Sequence, residues 1–180
     1  MTLRLPKRHA QAQVRHLPRC MEPLRDFIRK KGVERGESFY IGGPAKFWSA
    51  KTEAAAAVAR YEYRRHKRER KRFSCDFVLA SQFFENIIQG AFRSGDDFWE
   101  DYKKRYSEVD LLVIDGLGIE ARNGRQAAQV ATVLAQVLRV RYEEMVSTII
   151  TSSFKVGRLE SVYSREVFSI ISSYEVVRVK

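Results

Sequence analysis

Apolar positions in this chain alternate between short unbroken runs and longer stretches with helical spacing. Residues 110–115 are Asp110-Leu111-Leu112-Val113-Ile114-Asp115, an apolar run closed by an acid and followed by Gly116-Leu117-Gly118. A strand covered on both faces needs continuous Leu, Val and Ile, so this segment predicts a buried parallel strand. Residues 38–43, 73–80, 147–153 and 174–179 predict further strands by the same criterion. Between them lie helical stretches. Leu24, Phe27 and Ile28 share a face and predict a helix over 21–31 that stops near Gly32. Strong helix formers at 54–59 predict a helix over 51–67. Ser81 is a suitable N-cap for a helix through 92. Residues 94–101 are acidic and predict a loop running into a helix. Val130, Val133, Leu134, Val137, Leu138 and Tyr142 make one apolar helical face, and 159–171 contains a helical segment. Strands that alternate with helices predict an α/β fold, a doubly wound parallel sheet with helices on both faces. A basic N-terminal segment with one helix, residues 1–35, precedes a core over 36–180.

Composition narrows the class. The 180 residues are 44% hydrophobic and 31% charged, which suits a packed domain rather than a disordered tail. No apolar run approaches the roughly 20 residues that span a bilayer. The N-terminus lacks the apolar core of a secretion signal. Cys20 and Cys75, and His9, His16 and His66, show no metal-type spacing, and the simpler setting is a reducing cytoplasm. The formal net charge of +11 favours a polyanionic partner, most often nucleic acid.

The chemistry concentrates at two glycine-punctuated strand ends. Gly42 and Gly43 follow the first core strand, and Lys51-Thr52 opens the next helix, the layout of a phosphate loop. The loop pattern G-x-x-x-x-G-K-[ST] is not met, because residues 45–52 are Ala45-Lys46-Phe47-Trp48-Ser49-Ala50-Lys51-Thr52. One reading is an altered nucleotide site in which Gly43, Lys51 and Thr52 still meet phosphate and Mg²⁺. The other is a degenerate loop whose aromatics form a plug or a contact surface. Asp115 ends its strand where open α/β sheets place their ligands, and is the candidate Mg²⁺ carboxylate. A second acid usually follows in ATPases that polarise the attacking water. Here that position is Gly116, so hydrolysis is impaired unless another carboxylate, with Glu120 the nearest candidate, serves. Thr151, Ser152 and Ser153 end another strand and could touch a γ-phosphate or satisfy loop backbone. Arg165 could reach a neighbouring subunit's phosphate or form a surface ion pair.

Residues 64–72 form a dense cationic run. Arg64, Arg65, Lys67, Arg68, Arg70, Lys71 and Arg72 are candidates for phosphate-backbone contact, against a simple solvated helix end. Tyr61, Tyr63 and Phe73 flank the run and could stack on bases, although Tyr61 and Phe73 also suit a core.

Taken in order, these segments resemble the AAA+ helicase-loader ATPases of the DnaC/DnaI type and the related IstB-type transposition ATPases. The residues that carry the likeness are Phe39-Tyr40-Ile41-Gly42-Gly43-Pro44, Lys51-Thr52 with the alanines after it, 110–120, Arg141-Tyr142-Glu143, Thr148 to Ser153 and Tyr163-Ser164-Arg165. The resemblance implies an AAA+ core without the small helical lid. It implies ATP and Mg²⁺ as ligands, single-stranded DNA as a partner, a replicative helicase or partner ATPase as client, and homo- or hetero-oligomeric assembly. It also implies sensor contact at position 153, where Asn is usual, and a subunit-spanning role for Arg165. The departures at the loop glycines, at 116, at 153 and at Ser161, where the family has a further arginine, imply a member with weakened or lost hydrolysis. An active loader or transposition ATPase, and a non-enzymatic protein that mimics a loader subunit, are the alternatives.

Overall fold

Each unbroken apolar run becomes a strand of one parallel sheet. The computed structural model describes residues 3–93, 104–118 and 124–179. The strands are β1 (Phe39–Gly42), β2 (Cys75–Leu79), β3 (Leu111–Leu117), β4 (Ser147–Ser152) and β5 (Glu175–Arg178), in the spatial order β2-β3-β4-β1-β5. The helices are α1 (Glu22–Arg29), α2 (Trp48–Arg68), α3 (Ala80–Arg93), α4 (Gly124–Glu143), α5 (Leu159–Val162) and α6 (Arg165–Ser172).

The two faces of the sheet carry separate cores. Successive side chains of β3 point to opposite faces, so Leu111 and Val113 pack with Phe39, Ile41 and the Ala54–Ala59 stretch of α2. Leu112 and Ile114 pack on the other face with Phe83, Leu134 and Leu138. Residues 54–59 are all essentially buried, and their small side chains let α2 lie close against β3 and β4. Leu17, Met21, Leu24 and Phe27 of the N-terminal segment complete the α2-side core. Arg141, fully buried at the end of α4, donates to the carbonyls of Tyr106 and Val109 at 2.8 and 2.9 Å and to Thr148 Oγ1 at 2.9 Å. It thereby ties α4 to the starts of β3 and β4. Among the described residues, no helix is long and apolar enough to cross a membrane.

Several boundaries differ from the sequence-based expectation. The helix expected to open at Lys51 begins at Trp48, after a 3₁₀ turn over Ala45–Phe47, so Lys51 and Thr52 lie one turn inside it. The third helix starts directly from β2 at Ala80 rather than after a Ser81 cap. The helical segment after residue 159 divides into α5 and α6, because Ser164 adopts an extended backbone and its Oγ accepts from the Val167 N–H at 3.2 Å as a new N-cap. The acid-ended strand continues through Leu117, two residues beyond Asp115. The loop expected at 94–101 lies outside the described residues.

Candidate functional site

α2 crosses under β4 and β3 on its way from β1 to β2, and this path brings its first turns to the carboxyl ends of those strands. Thr52 Oγ1 lies 2.9 Å from both Oδ1 and Oδ2 of Asp115. On the other side, Thr151 Oγ1 of β4 donates to Asp115 Oδ1 at 2.6 Å. Thr52, Asp115 and Thr151 are all nearly inaccessible.

A bulge in β3 makes this junction. Ile114 pairs with Ile150 and Leu117 with Ser152, so Asp115 and Gly116 together face the single residue Thr151. Gly116 sits at φ 82°, and its N–H donates to Thr151 Oγ1 at 2.9 Å. That backbone conformation favours glycine, so the missing second acid is built into the strand's geometry as well as its sequence.

Lys51 is buried beside this junction, yet its ammonium turns to the loop. It donates to the carbonyls of Gly43 at 2.7 Å and Pro44 at 3.1 Å. The loop is spent in other ways too. Pro44 has no N–H, and the Phe47 N–H donates to the Pro44 carbonyl at 3.0 Å. A Cβ on Gly43 would lie 2.5 Å from the Val179 carbonyl oxygen, so close packing against the chain after β5 already requires that glycine. Phe47 packs against the α2-side core, whereas Trp48 is 46% exposed with its ring edge-on to His9 at 6.3 Å.

Burial dominates the electrostatics. It pushes the Asp115 carboxyl above its ordinary value, with the Thr151 and Thr52 hydrogen bonds and the charges of His9 and Lys51 pulling part of the way back. Burial also pushes the Lys51 ammonium below its ordinary value, opposed by the charge of Asp115. The hydroxyl–carboxylate pair Thr52–Asp115 is a donor set that suits a hard divalent cation, directly or through water. The loop as folded is a poor cradle for a triphosphate, because its lysine and the Phe47 and Trp48 N–H groups already bond within it and Pro44 has no N–H to offer.

The other expected site residues scatter. Gly43 and Ser153 both border an apolar cavity of about 260 Å³ between the ends of β1, β4 and β5, but it is Thr151, not Ser153, that reaches Asp115. Arg165 is exposed at the start of α6. Glu120 lies outside the described residues. His9 had no signal in the sequence; it is buried near Asp115, and its Nε2 has no hydrogen-bond partner among the described residues.

The cationic run divides by helical phase. Arg64, Lys67, Arg68, Arg70, Lys71 and Arg72 are exposed. Arg65 departs from the expected surface: it is buried, donates to Glu62 Oε2 at 2.6 and 3.0 Å, and pairs with Glu34 at 2.8 Å. Lys71 is exposed but paired with Glu69 at 3.1 Å. Phe73 stacks on His66 at 4.6 Å between centroids and belongs to the core.

Neither a protein-family model nor a curated protein matches the sequence. Solved structures do match the fold. The DnaC helicase loader superposes with a TM-score of 0.74 at 19% identity, over 97% of this chain and 100% of that one. Domain III of the Thermotoga maritima replication initiation protein DnaA gives 0.76 at 14% identity, over 99% and 69%. The chain has the AAA+ fold of the DnaC/DnaI-type helicase loaders. The same AAA+ core is found in a replication initiator DnaA bound to AMPPCP and single-stranded DNA, with a TM-score of 0.68 at 16% identity over 87% of this chain. The chain spans about half of that DnaA, 46% of its length.

Proposed function

We propose that this chain is a helicase-loader-like AAA+ protein of cytoplasmic DNA replication that binds DNA and a partner ATPase or helicase, with ATP hydrolysis lost or weakened. The observation that carries the reading is the closure of the site on itself. Asp115 is occupied by Thr52 and Thr151, Lys51 by the Gly43 and Pro44 carbonyls, and the position for a water-polarising acid is Gly116 at φ 82°. Phosphoryl transfer to water needs a cation on the phosphates, a carboxylate for the metal and an acceptor that orients the water, and position 116 offers no acceptor side chain. The AAA+ fold and its structural neighbours, which include a helicase loader and an initiator bound to single-stranded DNA, support the setting. The net charge of +11 supports the DNA partner.

The same closure favours a second reading, a loader-subunit mimic that joins a partner's homo- or hetero-oligomer without responding to nucleotide. Both readings share one test. Binding of a fluorescent single-stranded oligonucleotide should be the same with and without ATP and Mg²⁺, and ATP turnover should match a protein-free blank. DNA-stimulated turnover would contradict the loss of hydrolysis.

A further inference from the structure

The cations of α2 that lack acidic partners face a groove whose second wall is the N-terminal segment. Arg60, Arg64, Lys67 and Arg68 follow i, i+4, i+7, i+8 spacing and so share one helical face. Opposite them run Leu3, Arg4 and Leu5, with Ala10 beyond. Arg60 anchors the two walls to each other, donating to the Ala12 carbonyl at 3.0 Å and to Gln11 Oε1 at 2.7 Å. The cavity between them measures about 1250 Å³, above the roughly 300–1,000 Å³ of small-molecule sites. It adjoins a second cavity of about 530 Å³ that shares Tyr63 and Lys67 and continues past Lys71 and Arg72.

Charge and shape select the occupant. Among the described residues, no acid lines the larger cavity. The one acid of the smaller, Asp110, is held by the N–H and hydroxyl of Ser74 at 2.6 and 2.8 Å. Burial, and after it repulsion from Arg64, pushes the Arg60 guanidinium below its ordinary value. A row of like charges held together in this way is relieved by a polyanion. The groove also carries two half-buried tyrosines, Tyr61 and Tyr63, among its cations. Cations that track a backbone, interleaved with aromatic rings, suit a flexible strand with unpaired bases. A duplex is a stiff rod whose bases are already stacked, and it gains nothing from the tyrosines.

We infer that the groove between the N-terminal segment and the second half of α2 is the track for a single strand of DNA, with Arg4, Arg64, Lys67 and Arg68 on phosphates and Tyr61 and Tyr63 against bases. This deepens, and rests on, the DNA-binding part of the proposed function. It adds the N-terminal wall, sets the path of the strand along α2, and removes Arg65 from the contact set.

The test is fluorescence anisotropy of the full chain with labelled oligothymidylate across a salt series. The double variant Arg64→Glu, Lys67→Glu should lose at least ten-fold in affinity and flatten the log–log salt slope by about 1.4, two single-strand phosphates' worth. Arg4→Glu, in the segment outside the helices, should flatten it by about 0.7. Tyr63→Leu should weaken binding about ten-fold without changing the slope, the signature of lost stacking. The charge-matched control Lys155→Glu, Arg178→Glu should bind as wild type. Binding that survives the groove variants unchanged, or falls equally in the control, overturns the groove and leaves DNA binding standing. Preference for duplex, or for an RNA strand of the same composition, also overturns it. A wild-type chain that binds no oligonucleotide removes both the groove and the DNA-binding reading.

Discussion

The two ends of α2 carry the same kinds of side chain in opposite states. At its start, Lys51 and Thr52 are buried, and their polar atoms are satisfied by the Gly43 and Pro44 carbonyls and by Asp115. At its end, Arg64, Lys67 and Arg68 are exposed and have no ion-pair partner among the described residues. One end is closed on itself; the other keeps its charges for something outside the molecule. A polar group whose hydrogen bonds are already made gains little by exchanging them for a ligand's, whereas clustered unpaired cations gain by meeting an anion. On the proposed function, binding belongs to the cationic end of the helix rather than to its start.

The sharpest way to break this comparison lies within the cationic end, where Arg64 and Arg65 are chain neighbours with different fates. Arg65→Ala leaves buried Glu62 without its partner and should cost about 3–5 kcal/mol of stability. Arg64→Ala should stay within about 0.5 kcal/mol. Chemical denaturation of both variants decides this, and equal effects would mean that the helix is rotated from the phase described.

At the closed end, Gly116→Asp restores the missing acid at φ 82°. It should cost about 1–3 kcal/mol by backbone strain and yield no ATP turnover, because the loop remains spent. Turnover in this variant would show that the missing acid alone disables the site. The smallest effect concerns protons. The folded chain holds the Asp115 proton above pH 3.8, where the unfolded chain has released it. This group's contribution to stability is therefore complete below pH 3.8 and falls as pH rises through the raised value. Asp115→Asn cannot ionise, so its stability relative to wild type should improve with pH across that window. A constant difference would place the carboxylate in contact with solvent.

Much of this is legible in the residues, and the rest is not for definite reasons. Continuous apolar runs located all five strands, and Asp115 and Thr52 meet as their positions in an α/β sheet require. That Thr151, among the hydroxyls at 151–153, is the one to meet Asp115 was open in the sequence because β4 is buried along its whole length. No alternation marks which hydroxyl faces β3, and only the bulge opposite Thr151 decides it. Arg65 did leave a signal. Val58, Glu62 and Arg65 fall at i, i+4 and i+7, a phase continuous with the buried alanines. His9 left none, being a lone histidine in an irregular segment. The direction of Lys51 was equally hidden, since a flexible side chain chooses its acceptors only after the loop has folded.

The central claim is that the start of α2 is satisfied from within. Titration of a fluorescent ATP analogue, with and without Mg²⁺, into wild type and Lys51→Ala tests it directly. The account predicts no saturation below about 1 mM in either protein and no effect of the metal. Tight, Mg²⁺-dependent binding that disappears in Lys51→Ala would contradict it.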